Sequence, residues 1–206
     1  QYVKRDINKA INYFSLAANQ NIPGAQFNLG TIYYNSQYVK QDISKAIHYF
    51  SLAANQNFPE AQFELGIIYY QGDKIKQDIK KFTYYIMLSS KNNFRKANYL
   101  HAFLLHEGIY VKKDIQQAIH YYKEASSFNI HYSKNNLGII YKHGADEIEV
   151  NVGNAIVYFE EAIRQKNDYL SMYNLAHLYI YRDDTANKQE YLNKSIDLLI
   201  RSLIEF

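Results

Sequence analysis

The 206-residue sequence contains no cysteine and no tryptophan, and it has only two prolines and eight glycines. Without cysteine the chain has no means of forming a disulfide scaffold, a cysteine-ligated zinc site or a thiol nucleophile. The scarcity of proline and glycine argues against a loop-rich or all-β chain. No apolar run approaches the roughly 18 residues that a membrane-spanning helix needs, so we predict no membrane span.

The sequence also lacks a strong excess of charge of either sign. It has 23 Lys and Arg residues against 20 Asp and Glu residues, a net charge of +3, and the two signs are interspersed. Nucleic-acid binding requires a more concentrated positive field, so we predict no nucleic-acid partner. The absence of cysteine is typical of a reducing compartment, and we expect a cytoplasmic protein, with a lumenal or secreted location as the alternative.

What the sequence does contain is an internal repeat of 36 residues. The segments 6–41 and 42–77 share 25 identical residues over 36 aligned positions. Evenly spaced aspartates, each followed by Ile, mark the repeat at Asp6, Asp42, Asp78 and Asp114. Self-similarity at a period of this length indicates a repeat architecture.

Each copy of the repeat predicts two helices. In the second half of the unit, apolar residues such as Ala46 and Phe50 recur at three- and four-residue spacing, which is typical of one buried helical face. The preceding aspartate is predicted to cap that helix, and Asn151 takes the same role in the fourth copy. In the first half, Ala25 and Leu29 belong to a second apolar stripe.

Glycine recurs inside the first helix of the unit, at Gly30, Gly66 and Gly138. Glycine costs about 1 kcal/mol relative to alanine in a helix interior. We therefore expect a compensating close approach of the neighbouring helix at these positions. Ala102 and Ala176 stand at the equivalent sites of other copies, which agrees with a limit on side-chain size.

A single helix pair cannot cover both of its apolar faces, whereas stacked pairs cover one another. We therefore predict an all-α fold, a right-handed α/α superhelical solenoid of antiparallel helix pairs, as one domain over residues 1–206. The predicted leading helix and five pairs span 6–20, 24–57, 60–91, 95–127, 131–166 and 169–206.

The repeat resembles the Sel-one-like repeat family, whose members are relatives of tetratricopeptide repeats. The resemblance covers the whole chain, with departures at His101, which replaces the usual Leu, at Phe82, which replaces Ala, and at Leu198–Leu199, which replace an aromatic pair. The residues that carry it, with their counterparts in other copies, are Ala46, Tyr49, Phe50, Ala53, Ala54, Ala61, Leu65, Gly66, Tyr69 and Asp78.

The resemblance implies a non-catalytic scaffold or adaptor that presents a concave helical groove to a partner protein or peptide. The alternative it leaves open is a structural or oligomerisation module of a larger protein, for example one with a kinase or other catalytic domain. In tetratricopeptide-like folds the first helix of each pair lines the groove. Transferred by repeat position, the implied partner-binding residues are Phe27, Tyr34, Phe63, Ile67, Tyr70, Tyr99, Phe103, His106, Asn135, Lys142, Tyr173 and His177.

A search for catalytic and phosphate-binding motifs finds no GxGxxG, P-loop, GxSxG or HExxH pattern, so we predict no catalytic, cofactor or metal site. Basic residues are concentrated in the third copy, which suggests an acidic partner; an ordinary solvated face is the alternative. The members of this cluster are Lys74, Lys76, Lys80, Lys81, Lys91, Arg95 and Lys96.

The ends of the repeat array are apolar. We call the first and second helices of each pair first-type and second-type. The leading helix is of the second type and lacks a first-type partner. The last helix carries a run of aliphatic residues without a polar cap. Since solenoids need polar capping repeats to stay soluble, we expect the native chain to extend N-terminally by at least one helix and this chain to self-associate through an end. The aliphatic and aromatic residues of the last helix are Ile196, Leu199, Ile200, Leu203, Ile204 and Phe206.

Overall fold

The computed structural model describes residues 6–35, 37, 39–127, 130–166, 168–181 and 188–204. Within these ranges the chain is helical and contains eleven α-helices and no β-strand. In chain order the helices are α1 (Ile7–Asn19), α2 (Pro23–Tyr34), α3 (Ile43–Ala54), α4 (Pro59–Gln71), α5 (Ile79–Lys91), α6 (Arg95–Glu107), α7 (Ile115–Ser126), α8 (His131–His143), α9 (Val152–Lys166), α10 (Tyr169–Ile180) and α11 (Lys188–Ile204).

The helices pack on one another in the order of the chain. Within the helix pairs, α2 packs on α3, α4 on α5, α8 on α9 and α10 on α11. Contacts such as those of α3 with α4 and of α9 with α10 join one pair to the next. The predicted all-α fold of consecutive helix pairs is therefore confirmed. The chain forms two compact units, Gln1–Asn98 and Tyr99–Phe206, and the single domain expected over 1–206 stays a prediction.

The predicted helix caps are present. The side chain of each repeat aspartate accepts a hydrogen bond from the backbone N–H three residues later, at 2.9–3.1 Å. Asn151 caps α9 in the same way, with its Oδ1 2.9 Å from the Asn154 nitrogen. The capping residue also fixes the end of the loop that joins the two helices of a pair. Its own backbone N–H donates to a carbonyl oxygen of the first-type helix, as Asp78 does to the Tyr69 oxygen at 3.0 Å.

The turn after each second-type helix of the first unit uses an asparagine in the left-handed region. Asn21, Asn57 and Asn93 have φ angles of 62°, 60° and 61°. Asparagine tolerates this conformation better than other non-glycine residues do. The next residue then donates back into the helix, as Phe58 does to the Ala53 oxygen at 3.2 Å, so the three turns share one hydrogen-bond pattern.

The helical glycines lie against large side chains of the paired helix, as expected. A Cβ atom at Gly30 would be 2.5 Å from the Phe50 ring, and one at Gly138 would be 2.5 Å from the Phe159 ring. At Gly66 the nearest atom is Ile86 Cδ1, at 2.8 Å. A side chain at any of these three positions would therefore displace a core residue.

We predict different costs for Gly30→Ala and Gly66→Ala. Both variants gain the same helix propensity, but the Phe50 ring has less room to move than the end of Ile86. Gly30→Ala should lower the free energy of unfolding by about 1–3 kcal/mol, and Gly66→Ala by clearly less. Urea denaturation followed by circular dichroism measures both; equal midpoints would contradict the close-approach explanation.

His101 is a buried histidine in the core of the second unit. Its side chain is 3% exposed and its ring centroid lies 4.4 Å from that of Tyr121. Burial lowers the pKa of the imidazole to about 4, because a charged ring is disfavoured away from water. His101 is therefore neutral at neutral pH and fills the space that leucine fills at Leu65 and Leu137.

We predict that His101→Leu removes a pH-dependent loss of stability. The unfolded side chain has a pKa of 6.5 and the folded one of about 4, so only the unfolded state binds a proton between these values. The stability associated with neutral His101 is present above pH 6.5 and is lost as the pH falls towards about 4. The advantage of the Leu variant should therefore grow by about 2–3 kcal/mol over this range, as measured by urea denaturation. A difference between the two proteins that does not change with pH would contradict this explanation.

Candidate protein-interaction surface

In the first unit, two of the predicted partner-binding aromatics are half-buried in ring contacts. The centroid of Phe27 lies 5.6 Å from that of Phe50 and 5.3 Å from that of Phe58. Phe63 repeats this arrangement one copy later, 5.3 Å from Phe94. These rings join the first-type helix to the start of the next one, so only their outer parts are available to a partner.

The remaining predicted residues of the first unit differ in exposure. Tyr34 and Ile67 are half-buried, and the Tyr34 hydroxyl donates to Gln71 Oε1 at 2.8 Å. Burial, assisted by the nearby charge of a glutamate, raises the pKa of Tyr34. Tyr70 is 44% exposed, and its ring packs on Phe82 at 4.8 Å. Tyr70 is therefore the predicted residue of this unit with the most accessible ring.

In the second unit, α6 carries three predicted residues. Tyr99 is half-buried, with its ring centroid 6.0 Å from Tyr122 and 6.4 Å from Tyr132. Phe103 is 36% exposed. His106 is half-buried against the edge of the Tyr122 ring, and burial lowers the pKa of its imidazole.

Asn135 makes hydrogen bonds within the second unit and has little surface of its own. Its side chain is 5% exposed. Its Oδ1 atom accepts from Ser171 Oγ and from Asn174 Nδ2, each at 3.1 Å. These bonds connect α8 to α10, so a change at Asn135 would affect packing as well as any contact with a partner.

The last predicted residues lie on α8 and α10. Lys142 is half-buried, and burial lowers the pKa of its ammonium group. On α10, the Tyr173 and His177 rings meet edge to face at 4.7 Å, and His177 stacks on Tyr181 at 5.7 Å. Tyr173 and Tyr181 are 51% and 76% exposed, and His177 between them is half-buried, so these three rings form a partly exposed aromatic row at α10 and its C-terminal cap. Sequence reasoning found two members of this row and missed Tyr181.

Sequence reasoning also missed a set of buried amides. Gln26 and Gln62 are 1% and 0% exposed. Gln62 donates to the Ala54 oxygen at 3.0 Å and accepts from Asn92 Nδ2 at 2.9 Å, so it joins three consecutive helix ends. Buried polar groups need such partners. The signal in the sequence was the identical glutamine in both copies, next to the small Ala.

A second missed feature is a series of stacked tyrosines, one from each helix of a helix pair. The pairs have centroid distances of 5.6–5.9 Å and interplanar angles of 2–6°. In the first unit a lysine lies over the tyrosine that belongs to the first-type helix. Lys45 Nζ is 5.0 Å from the centre of the Tyr33 ring, and Lys81 Nζ is 4.6 Å from that of Tyr69. The three pairs are Tyr33–Tyr49, Tyr69–Tyr85 and Tyr141–Tyr158.

Two features are absent from the described residues. In that part of the chain, no helix combines the length and apolar character needed to cross a membrane. The same residues contain no group of three or more His, Asp or Glu side chains placed to hold a metal ion.

Comparison with protein families identifies the repeat. The Sel1 repeat model matches residues 1–22, 23–58, 59–81, 95–127, 131–167 and 170–189. The chain belongs to the Sel1 repeat family. Its six matched segments cover the leading helix, three complete helix pairs and the first helix of each of the other two pairs, and the resemblance noted from the sequence is confirmed. A comparison with curated protein sequences gives no match.

Solved structures show the same fold. The c5321 protective antigen of uropathogenic Escherichia coli, described as having an SLR fold, is 21% identical with a TM-score of 0.76 over 91% of this chain. This chain spans only 40% of the length of that protein. A Sel1 repeat protein from Oxalobacter formigenes is 26% identical, with a TM-score of 0.71 over 95% of this chain and 81% of the other. A Klebsiella pneumoniae protein described as a sel1 repeat protein is 18% identical, with a TM-score of 0.53 over 95% and 97% of the two chains.

Proposed function

We propose that this Sel1 repeat chain is a non-catalytic protein-interaction scaffold that binds a partner protein or peptide through its first-type helices. Protein binding is the typical role of Sel1 repeats. The observation that carries the proposal is the aromatic row at the end of α10, in which Tyr173 and Tyr181 are exposed, together with exposed Tyr70 on α4. Tyrosine rings are rigid and amphipathic, and they are enriched among residues that dominate binding energy.

The other predicted residues have supporting roles in this proposal. Phe27, Phe63 and Tyr99 hold the helices in register and present only ring edges. His106 and Lys142 are half-buried groups with lowered pKa values, so both are more readily uncharged than exposed side chains of their type. We further propose that the partner is acidic, since the basic residues of the third copy are exposed.

We predict that removing exposed rings from the first-type helices abolishes partner capture. The variant is Tyr70→Ala with Phe103→Ala and Tyr173→Ala, residues that are 44%, 36% and 51% exposed. Their exposure means that folding should change little. Proteins that the immobilised wild-type chain retains from an extract of the source organism are identified by mass spectrometry. The amount of each that the variant retains should be at least about tenfold lower. This corresponds to a loss of about 1.4 kcal/mol in binding free energy.

The matched control removes three apolar side chains, exposed to a similar or greater degree, from the second-type helices. It combines Tyr13→Ala, Tyr84→Ala and Met87→Ala, whose side chains are 69%, 59% and 44% exposed. This control should retain the same proteins as wild type. If the control loses them while the first-type variant keeps them, the binding surface lies on the second-type helices and our assignment is wrong.

The second candidate function is that of an oligomerisation module, and the exposed apolar residues of α11 favour it. Ile196 and Ile200 are 48% and 52% exposed. Ile119, at the position equivalent to Ile196, is 7% exposed because another helix pair covers it. Of the apolar residues named above for this helix, Phe206 lies outside the described residues. The side chains of Leu203 and Ile204 are not described either.

We predict that Ile196→Glu with Ile200→Glu makes the chain monomeric. Burying these two isoleucines against a second copy would remove apolar surface from water, and glutamate at both positions would prevent it. The wild-type mass from light scattering should rise with concentration, and the mass of the variant should not. A wild-type chain that stays monomeric at every concentration would contradict the proposed self-association.

A further inference from the structure

The two compact units carry opposite net charge. Gln1–Asn98 contains twelve Lys and Arg residues and six Asp and Glu residues, a net charge of +6. Tyr99–Phe206 contains eleven and fourteen, a net charge of −3. The small overall charge of +3 therefore hides a basic unit. A positive net charge attracts negatively charged partners, and here that charge belongs to the first unit.

The basic side chains of the first unit surround a shallow depression with an apolar floor. Ile47 of α3, Tyr69 of α4 and Ile79 of α5 are half-buried and line its floor. The exposed side chains of Lys76, Lys80 and Lys81 line its rim. We call this surface, defined by these six residues, the lysine-rimmed depression.

The single carboxylate in the lining, that of Asp78, is already used in the structure. Its Oδ1 accepts from the Lys81 backbone N–H at 3.0 Å, which caps α5. Its Oδ2 lies 3.9 Å from Lys81 Nζ, and exposed ion pairs of this kind are weak. Three ammonium groups therefore face solvent around one carboxylate, and the surface is complementary to negative charge.

Lys81 is held in place by an aromatic ring. Its Nζ lies 4.6 Å from the centre of the Tyr69 ring and 3.5 Å from the Tyr69 hydroxyl. The ring in turn stacks on Tyr85 at 5.9 Å. Cation–π contacts orient an ammonium group without neutralising it, so Lys81 remains available to an anionic side chain.

Comparison between the copies shows that this concentration of charge is particular to one repeat. The preceding copy keeps Lys40 and Lys45 but has Ser44 at the position of Lys80. In the fourth copy Glu149 stands at the position of Lys76. The packing of the repeat therefore does not require these lysines.

We propose that the lysine-rimmed depression binds an extended acidic segment of a partner protein in which Asp or Glu alternates with aliphatic residues. Side chains of an extended peptide point alternately to opposite sides, so aliphatic groups can contact Ile47, Tyr69 and Ile79 while carboxylates turn towards the rim. The inference rests on the proposed function in that the ligand is a protein. It adds a second surface, distinct from the exposed rings of the first-type helices.

The apolar floor favours a peptide over nucleic acid or an anionic membrane. A phosphate backbone is polar throughout and would leave the isoleucines without a partner.

The experiment measures fluorescence anisotropy of a labelled short peptide that alternates Glu and Leu, titrated with the full chain. The test variant is Lys76→Gln with Lys80→Gln and Lys81→Gln. The control variant, Lys9→Gln with Lys40→Gln and Lys45→Gln, removes the same charge from exposed positions of the same unit that lie outside the basic cluster of the third copy. The test variant loses one ion pair to a capping aspartate, Lys81 to Asp78, and the control loses two, Lys9 to Asp6 and Lys45 to Asp42.

We expect wild type and the control to bind with dissociation constants within about twofold of each other, and the test variant to bind at least about tenfold more weakly. Binding should also weaken as salt is raised from about 0.05 to about 0.15 M, because the contacts are exposed. A peptide alternating Glu and Ser should bind more weakly than the Glu and Leu peptide, since it lacks groups for the floor.

Four results would overturn the inference. These are no binding of the Glu and Leu peptide, equal weakening by both variants, equal binding of the Ser peptide, and tighter binding of single-stranded RNA or phosphatidylserine vesicles than of the peptide. The Tyr70, Phe103 and Tyr173 alanine variant should bind the peptide as wild type does. If the peptide fails to bind while that variant still loses captured proteins, the depression is wrongly assigned and the proposed function stands.

Discussion

The close contact between the two helices of each pair is the constraint on which the rest of the structure depends. A phenylalanine ring occupies the space that a side chain at Gly30 or Gly138 would fill. Because the helices approach this closely, the tyrosines further along the same pair stack in parallel at 5.6–5.9 Å. The pair is therefore a recurrent building block, in which the copies differ on the outer surfaces and at a few core positions such as Phe82 and His101.

Polar groups then join one block to the next. Buried glutamine and asparagine side chains span helix ends, as Gln62 does between Ala54 and Asn92. Such contacts are directional, so they set how consecutive helices meet within a unit. Apolar surface alone would permit sliding, because it has no preferred direction.

The surfaces left for binding differ between the two units. The first unit combines lysines with an apolar depression and carries a net charge of +6. The second unit carries a net charge of −3 and, at α10 and its C-terminal cap, the aromatic row in which Tyr173 and Tyr181 are exposed. A scaffold of similar blocks thus acquires distinct binding chemistry through substitutions on its outer faces.

The sequence by itself determined the helices, their aspartate caps and the places where glycine is required, since these depend on near neighbours and on a regular period. It did not determine which residues of the predicted binding face are exposed. Asn135 bonds to Ser171 and Tyr34 to Gln71, partners 36 and 37 residues away. Exposure at one repeat position therefore depends on which residue the adjacent copy supplies, and only the tertiary structure decides that, because it brings distant residues into contact.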